Sequence, residues 1–151
     1  VVEQASHQSW ADSTMAEGNE WGSSLRILEN GEVLFEEGDA GNVAFVVESG
    51  TIQISRSKGS ASVILAELER GALFGEMALI DEGPRSARAI ASGEAVVRQI
   101  GKKEFMQHLR SSPDSAFKMM QGLVEIIRKL NDKVLLDSWD NATKANLKEA
   151  D

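Results

Sequence analysis

An α+β fold is predicted, an antiparallel β-roll or jelly-roll barrel followed by helices. Two observations predict it. Between Leu25 and Ile100, short apolar or alternating runs are broken by glycine turns at regular spacing, which is the pattern of a β-roll or sandwich. Beyond Gly101 the apolar residues recur at three- and four-residue steps, the period of a helix. With 151 residues, the chain has room for one sizeable core.

Residues 1–24 are polar, with Ser, Glu, Gln and Gly around Trp10 and Trp21 and no clean helical period. They read as a lead-in carrying at most one short helix. Strands are expected at Leu25–Leu28, Glu32–Phe35, Ala44–Val47, Thr51–Ser55, Val63–Glu67 and Ala95–Ile100. Asn30-Gly31, Glu37-Gly38-Asp39, Ser49-Gly50, Lys58-Gly59-Ser60 and Arg70-Gly71 mark the turns between them. Glu37 and Asp39 resemble a cation site in composition, but an Asp that satisfies turn amides is the simpler reading.

The helical third begins with a short helix over Lys102–Leu109. Ser112 then suits an N-cap, Pro113 the first helical position and Asp114 the first turn. Phe117, Met120, Val124, Ile127, Leu130 or Asn131, and Val134 form one stripe of a helix running to about Leu136. Gly122 weakens its middle by roughly 1 kcal/mol. The stripe is expected to pack mostly on the barrel. The domain thus covers 25–136, with a β-roll over 25–100 and helices over 101–136; the polar tail 137–151 is expected to fray.

Composition narrows the function. The net charge of −8 argues against a nucleic-acid surface, which would show a basic stripe. The chain has no cysteine, so thiolate metal sites, disulfides and cysteine nucleophiles are excluded. That is compatible with a reducing, cytoplasmic setting. The longest apolar run, Val43-Ala44-Phe45-Val46-Val47, is far short of a membrane span, and VVEQASHQSW lacks the layout of a secretory signal. The two histidines, His7 and His108, lie outside the strand region and build no His-rich metal centre. Ser86 has no plausible His-Asp pair, so no hydrolase triad is read and no enzyme is expected.

The segment from Phe74 to Ala91 carries the chemistry. Gly75 lets backbone approach a ligand, and Glu76-Met77-Ala78-Leu79-Ile80 suit a short helix whose first N–H groups face an anion. After an acid-and-glycine loop comes Pro84-Arg85-Ser86-Ala87. Arg85 offers a planar fork for two oxygens of a phosphate, and Ser86 adds a hydroxyl. A carboxylate repels an anion but accepts from a hydroxyl, so Glu76 suits a sugar rather than a phosphate. Glu76 and Arg85 could also steady each other as an ion pair.

This Gly-Glu-x-Ala-Leu-Ile, turn, Pro-Arg-Ser-Ala order resembles the phosphate-binding cassette of cyclic nucleotide-binding domains. Gly31-Glu32-Val33-Leu34-Phe35-Glu36-Glu37-Gly38-Asp39 and Phe45-Val46-Val47-Glu48-Ser49-Gly50-Thr51-Ile52 are similar to that family's second-strand motif and its third-to-fourth strand hairpin. The resemblance implies a sensor of cyclic AMP or cyclic GMP with no cofactor. Phe74, Gly75, Glu76, Met77, Ala78, Leu79, Arg85, Ser86 and Ala87 would hold ribose and phosphate. It further implies Ile54, Leu65, Leu130 and Asn131 as base-lining residues, with plain core packing an equal reading for the first two. A hinge near Gly101–Ser112 would let the last helix close over the base. Two departures stand out: Arg88 occupies a position where many relatives have threonine, and the leading helix is weak. A ligand-free scaffold binding protein partners, or the sensor piece of a channel, kinase or transcription factor, are the other readings; the tail NATKANLKEAD shows no recognition helix. A fused output domain or a homodimer is compatible with each.

Overall fold

The structure, a computed structural model, describes residues 24–149. His7, Trp10 and Trp21 lie outside them. Six strands form one antiparallel sheet: β1 (Leu25–Leu28), β2 (Val33–Phe35), β3 (Val43–Lys58), β4 (Ala61–Leu68), β5 (Leu73–Phe74) and β6 (Arg88–Gly101). The path runs β1-β6-β3-β4, with β2 also paired to β6 and β5 to β3. Among the described residues there are three helices: α1 (Glu76–Asp81), α2 (Lys102–Ser111) and α3 (Pro113–Glu149). None is long and apolar enough to cross a membrane.

The strands Ala44–Val47 and Thr51–Ser55 are one 16-residue strand, β3. Gly50 joins them at φ 77°, with register shifts on either side of Ser49 against β6. A Cβ at Gly50 would lie 2.3 Å from the Glu94 carbonyl oxygen and 2.8 Å from Ala95 Cα, so glycine is required for space as well as for φ. β6 likewise begins at Arg88, earlier than Ala95. Its first half, Arg88-Ala89-Ile90-Ala91-Ser92-Gly93, alternates small with larger residues and carries a weak apolar signal. β5 has two residues, too short to stand out as a pattern.

The apolar run at 43–47 is continuous because β3 is buried on both faces. Phe45 and Val47 enter one core with Leu28, Ile52, Leu68, Phe74, Ala89, Ala91 and Val97. Ala44 and Val46 enter a second with Leu73, Leu79, Ile100 and Phe105, against which Leu109 and Met119 pack. The second core ties α1 to α2 and α3.

α3 corrects two expectations. It does not fray near Leu136 but runs 37 residues to Glu149. No glycine or proline follows Gly122, and Ala142, Lys144, Ala145 and Leu147 are good helix formers, so polarity alone does not stop the helix. The stripe also faces the other way. Phe117, Met120, Val124, Ile127, Leu130 and Val134 are exposed, whereas Ala116, Met119, Gly122, Leu123 and Ile126, on the neighbouring face, are partly covered. At its start the Ser112 carbonyl accepts from the N–H groups of Ser115 and Ala116, and its hydroxyl pairs with that of Ser115 at 2.8 Å.

Gly50→Ala is expected to lower stability by at least about 1–2 kcal/mol, the left-handed strain alone. Urea unfolding measures it; an unchanged midpoint would contradict the crowding at Glu94.

Candidate functional site

Gly75 caps α1 at φ 74° with no side-chain cap, leaving the first amides of the helix to other partners. Glu76, Ala78 and Leu79 face inward and are buried, while Met77 and Ile80 face solvent. The helix ends at Glu82, a non-glycine residue at φ 56°, and the Asp81 carboxylate accepts from the Gly83 N–H at 2.8 Å. Glu82 also pairs with Lys102 at the start of α2, which holds its carboxyl below the usual range. The expected hinge, Gly101–Ser112, is therefore mostly the helix α2, attached to the cassette by this ion pair.

The returning segment is sewn to the loop before β3. Gly38 N–H donates to the Arg85 carbonyl and Arg85 N–H to the Asp39 carbonyl, each at 2.8 Å, and Pro84 bridges to Ala40. The Asp39 carboxylate accepts from the Glu36 N–H at 3.0 Å, the turn role expected of it.

This stitching directs the Arg85 side chain inward, where 6% of the residue remains exposed. Its Nη1 donates to the Gly75 carbonyl at 2.9 Å and its Nη2 to the Val43 carbonyl at 2.8 Å. Cζ lies 4.3 Å from the centroid of the Phe35 ring and 5.7 Å from that of Phe45, within cation–π range. The rings of Phe45 and Phe74 stack at 5.5 Å beneath. Nε is covered and has no hydrogen-bond partner among the described residues. Burial pushes the guanidinium pKa down, opposed by the charges of Asp39 and Glu76; arginine nonetheless stays charged in proteins.

Glu76 is 6% exposed. Loss of water raises its pKa, and a bond to its own backbone and the Arg85 charge act against that. The two side chains sense each other through space, but no direct ion pair joins them, so that expectation is not met.

The cassette residues of the sequence reading thus form one cluster. Phe74 and Ala87 are buried beside Gly75, Glu76, Ala78, Leu79 and Arg85, while Ser86 is exposed with its hydroxyl 4.0 Å from Met77 Sδ. Ile54 is half-buried against the first core, and Leu65 is half-buried at the bulge where β4 skips a residue opposite Ile54 and Ser55. Leu130 and Asn131 are exposed on α3 and are not brought to the cassette. The principal packing of α3 is on α2. Arg88, without a role in the sequence reading, pairs with Glu36 at 3.3 Å across to the segment after β2. His108 is buried in α2.

Sequence reasoning missed the seat of Arg85: Phe35, Phe45, Gly41 and the Val43 carbonyl. The aromatics were legible only as strand residues, and a backbone carbonyl has no sequence signal. Among the described residues no group of His, Cys, Asp and Glu is placed to hold a metal ion.

Comparison with known proteins identifies the family. A family model described as the cyclic nucleotide-binding domain matches residues 25–112. The cyclic AMP receptor protein of Thermus thermophilus is 31% identical over 118 residues, 78% of this chain and 55% of that protein. A cAMP-dependent protein kinase regulatory subunit of Mucor circinelloides f. lusitanicus is 33% identical over 82 residues, 54% of this chain and 19% of that one. The crystal structure of the Thermus thermophilus catabolite activator protein is similar with a TM-score of 0.72 and 31% identity, covering 77% of this chain and 55% of that one. The chain therefore spans about half, or less, of the length of these relatives.

The buried Glu76 has a pH consequence. Its folded pKa is raised above the ordinary 4.5. The stability it allows is fully present below that value and is lost as pH rises through the folded pKa. Glu76→Gln should therefore raise the melting temperature of the ligand-free protein at neutral pH, with the gain fading toward pH 4.5. Thermal unfolding of both proteins across that range checks it; a variant no more stable than the parent at neutral pH is the contrary result.

Proposed function

The chain belongs to the cyclic nucleotide-binding domain family, and from that premise we propose that it senses a cyclic nucleotide and catalyses nothing. The observation that carries the reading is the convergence of a buried guanidinium, the uncapped start of α1 at Gly75 and a buried carboxylate within one cluster. A cyclic phosphodiester carries one negative charge. Arg85 supplies the counter-charge through the N–H groups not spent on Gly75 and Val43, and Ser86 adds a hydroxyl. The backbone amides of Glu76, Met77, Ala78, Leu79 and Ala87 are the neutral donors nearby. Glu76 accepts from the ribose 2′-OH, which compensates its lost hydration. Phe74 supports the cassette from below, and Ile54 and Leu65 offer apolar surface to the base.

Signalling then consists of closing the cassette and carrying α3 toward the base, so that Leu130 and Asn131 leave solvent in a ligand-favoured state. The relatives named for cyclic AMP support that nucleotide, while Ser86 is compatible with cyclic GMP. The exposed stripe Phe117, Met120, Val124, Ile127 and Val134 follows coiled-coil spacing and serves as a homodimer seam. A protein effector or fused domain takes the output, in the cytoplasm, without contact to nucleic acid. One observation favours a ligand-free scaffold instead: the Arg85 fork already rests on two backbone carbonyls.

Titration separates the two readings. The parent should bind cyclic AMP or cyclic GMP, and no binding of either leaves the scaffold. A charged hydrogen bond contributes about 1.5–3 kcal/mol, so Arg85→Ala should weaken binding about 10- to 100-fold. Glu76→Gln should weaken binding of the ribonucleotide much more than of its 2′-deoxy analogue; equal losses refute the ribose role. Ile127→Asp should shift the protein toward monomer in sedimentation, and an unchanged association state removes the seam.

A further inference from the structure

We propose that Gly41 and Phe35 are positioning residues for Arg85: two walls of a slot that fixes where the guanidinium can meet an anion. The consequence for binding rests on the proposed function; the slot itself does not.

Phe35 forms one wall, its ring 4.3 Å from Cζ. Gly41 forms the other. A Cβ at position 41 would lie 2.3 Å from Nε, 2.5 Å from Cζ and 2.9 Å from Nη2 of Arg85. The guanidinium is thus flat against backbone that only a missing side chain leaves open. A Cβ at Gly75 would also crowd it, 2.7 Å from Nη1, but Gly75 needs its positive φ as well. Gly41 carries no such backbone demand, so the space filled by Arg85 is what position 41 must keep free.

The carbonyls of Gly75 and Val43 set the rotation of the guanidinium in its plane, and the slot sets the plane. A methyl group at position 41 meets the tip of a long side chain, not backbone, and the tip yields. Moving Nε from 2.3 Å to ordinary contact at 3.4 Å displaces it by about 1 Å (3.4 − 2.3 = 1.1). Such a shift tips the guanidinium out of the plane in which its bonds of 2.8 and 2.9 Å to the Val43 and Gly75 carbonyls are directed, and so weakens their alignment. Phe35 adds the attraction of its ring face to the buried cation.

The test uses the full chain. In its ligand-free form, arginine Nε–H NMR should show Arg85 as a solvent-protected signal shifted by the Phe35 ring, identified by its loss in Arg85→Lys. Gly41→Ala should shift that signal and speed its exchange with solvent, and Phe35→Leu should reduce the ring shift. An Arg85 signal unchanged in Gly41→Ala overturns the slot. In cyclic AMP titrations, Gly41→Ala should weaken binding about 10-fold or more in the parent, and less than about 2-fold once Arg85 is already Ala. Equal losses in both backgrounds, or no loss in the parent, overturn the positioning role. Should Gly41→Ala fail to fold, Phe35→Leu is measured in the same two backgrounds under the same criteria. A parent that binds neither cyclic nucleotide overturns the proposed function instead, while the NMR arm still decides whether the slot exists.

Discussion

A positive charge held inside an acidic protein is the constraint around which the site is arranged. Arg85 is nearly removed from water, yet its charge persists. An isolated buried cation is very costly. Here the cost is offset by two carbonyls, two aromatic faces and the more distant charges of Asp39 and Glu76. Each partner comes from a different part of the chain. The Val43 carbonyl opens β3, Gly75 opens α1, Phe35 closes β2, and the segment 38–40 pairs with 84–85 to aim the side chain. One guanidinium therefore holds the cassette, the β2–β3 loop and the sheet in a fixed relation.

Glu76 supplies the counterpart. Among the described residues no direct ion pair reaches its buried carboxyl, and loss of water disfavours its charged form. The site thus contains a cation seated on two carbonyls and an acid whose charged form burial disfavours. Under the proposed function, a ligand would bring a hydroxyl donor to the acid along with an anion for the cation.

Much of this was legible in the sequence, and the failures have physical causes. Gly75, the start of α1 and the return at Pro84-Arg85 stood out because glycine, helix formers and proline each constrain backbone locally. The strand turns stood out for the same reason. The joining of two expected strands into β3 was hidden because Gly50 serves as a bend within a strand here, and glycine marks both. The length of α3 was missed because a polar tail and a solvated helix have the same composition. The face of α3 that packs was misjudged because 117, 120, 124 and 127 form the more regular stripe. The covered face uses Ala116, Met119 and Gly122, whose small or adaptable side chains permit close approach but score weakly as a pattern.

That packed face matters for how the site could reach the rest of the molecule. Leu79 sits on the cassette helix two positions beyond Met77, and in the second core it packs with Ile100, Phe105, Leu109 and Met119. These residues belong to α1, the end of β6, α2 and α3 in turn. Protein interiors are close-packed, so Leu79 has no free space in which to move without its neighbours moving as well. The Glu82–Lys102 ion pair joins the end of α1 to the start of α2 at the surface, where solvent and salt weaken it. Of these two links, the apolar one is the stronger candidate for transmission, because it needs no charge and is not screened. A displacement of α1 that kept Leu79 packed would tilt α2, and α3 would turn with it. Since only the first turns of α3 are held, a small tilt there becomes a large excursion at Leu130 and beyond. Under the proposed function, the exposed stripe on α3 and the buried charge at Arg85 would be two ends of one lever, with Leu79 as its contact point.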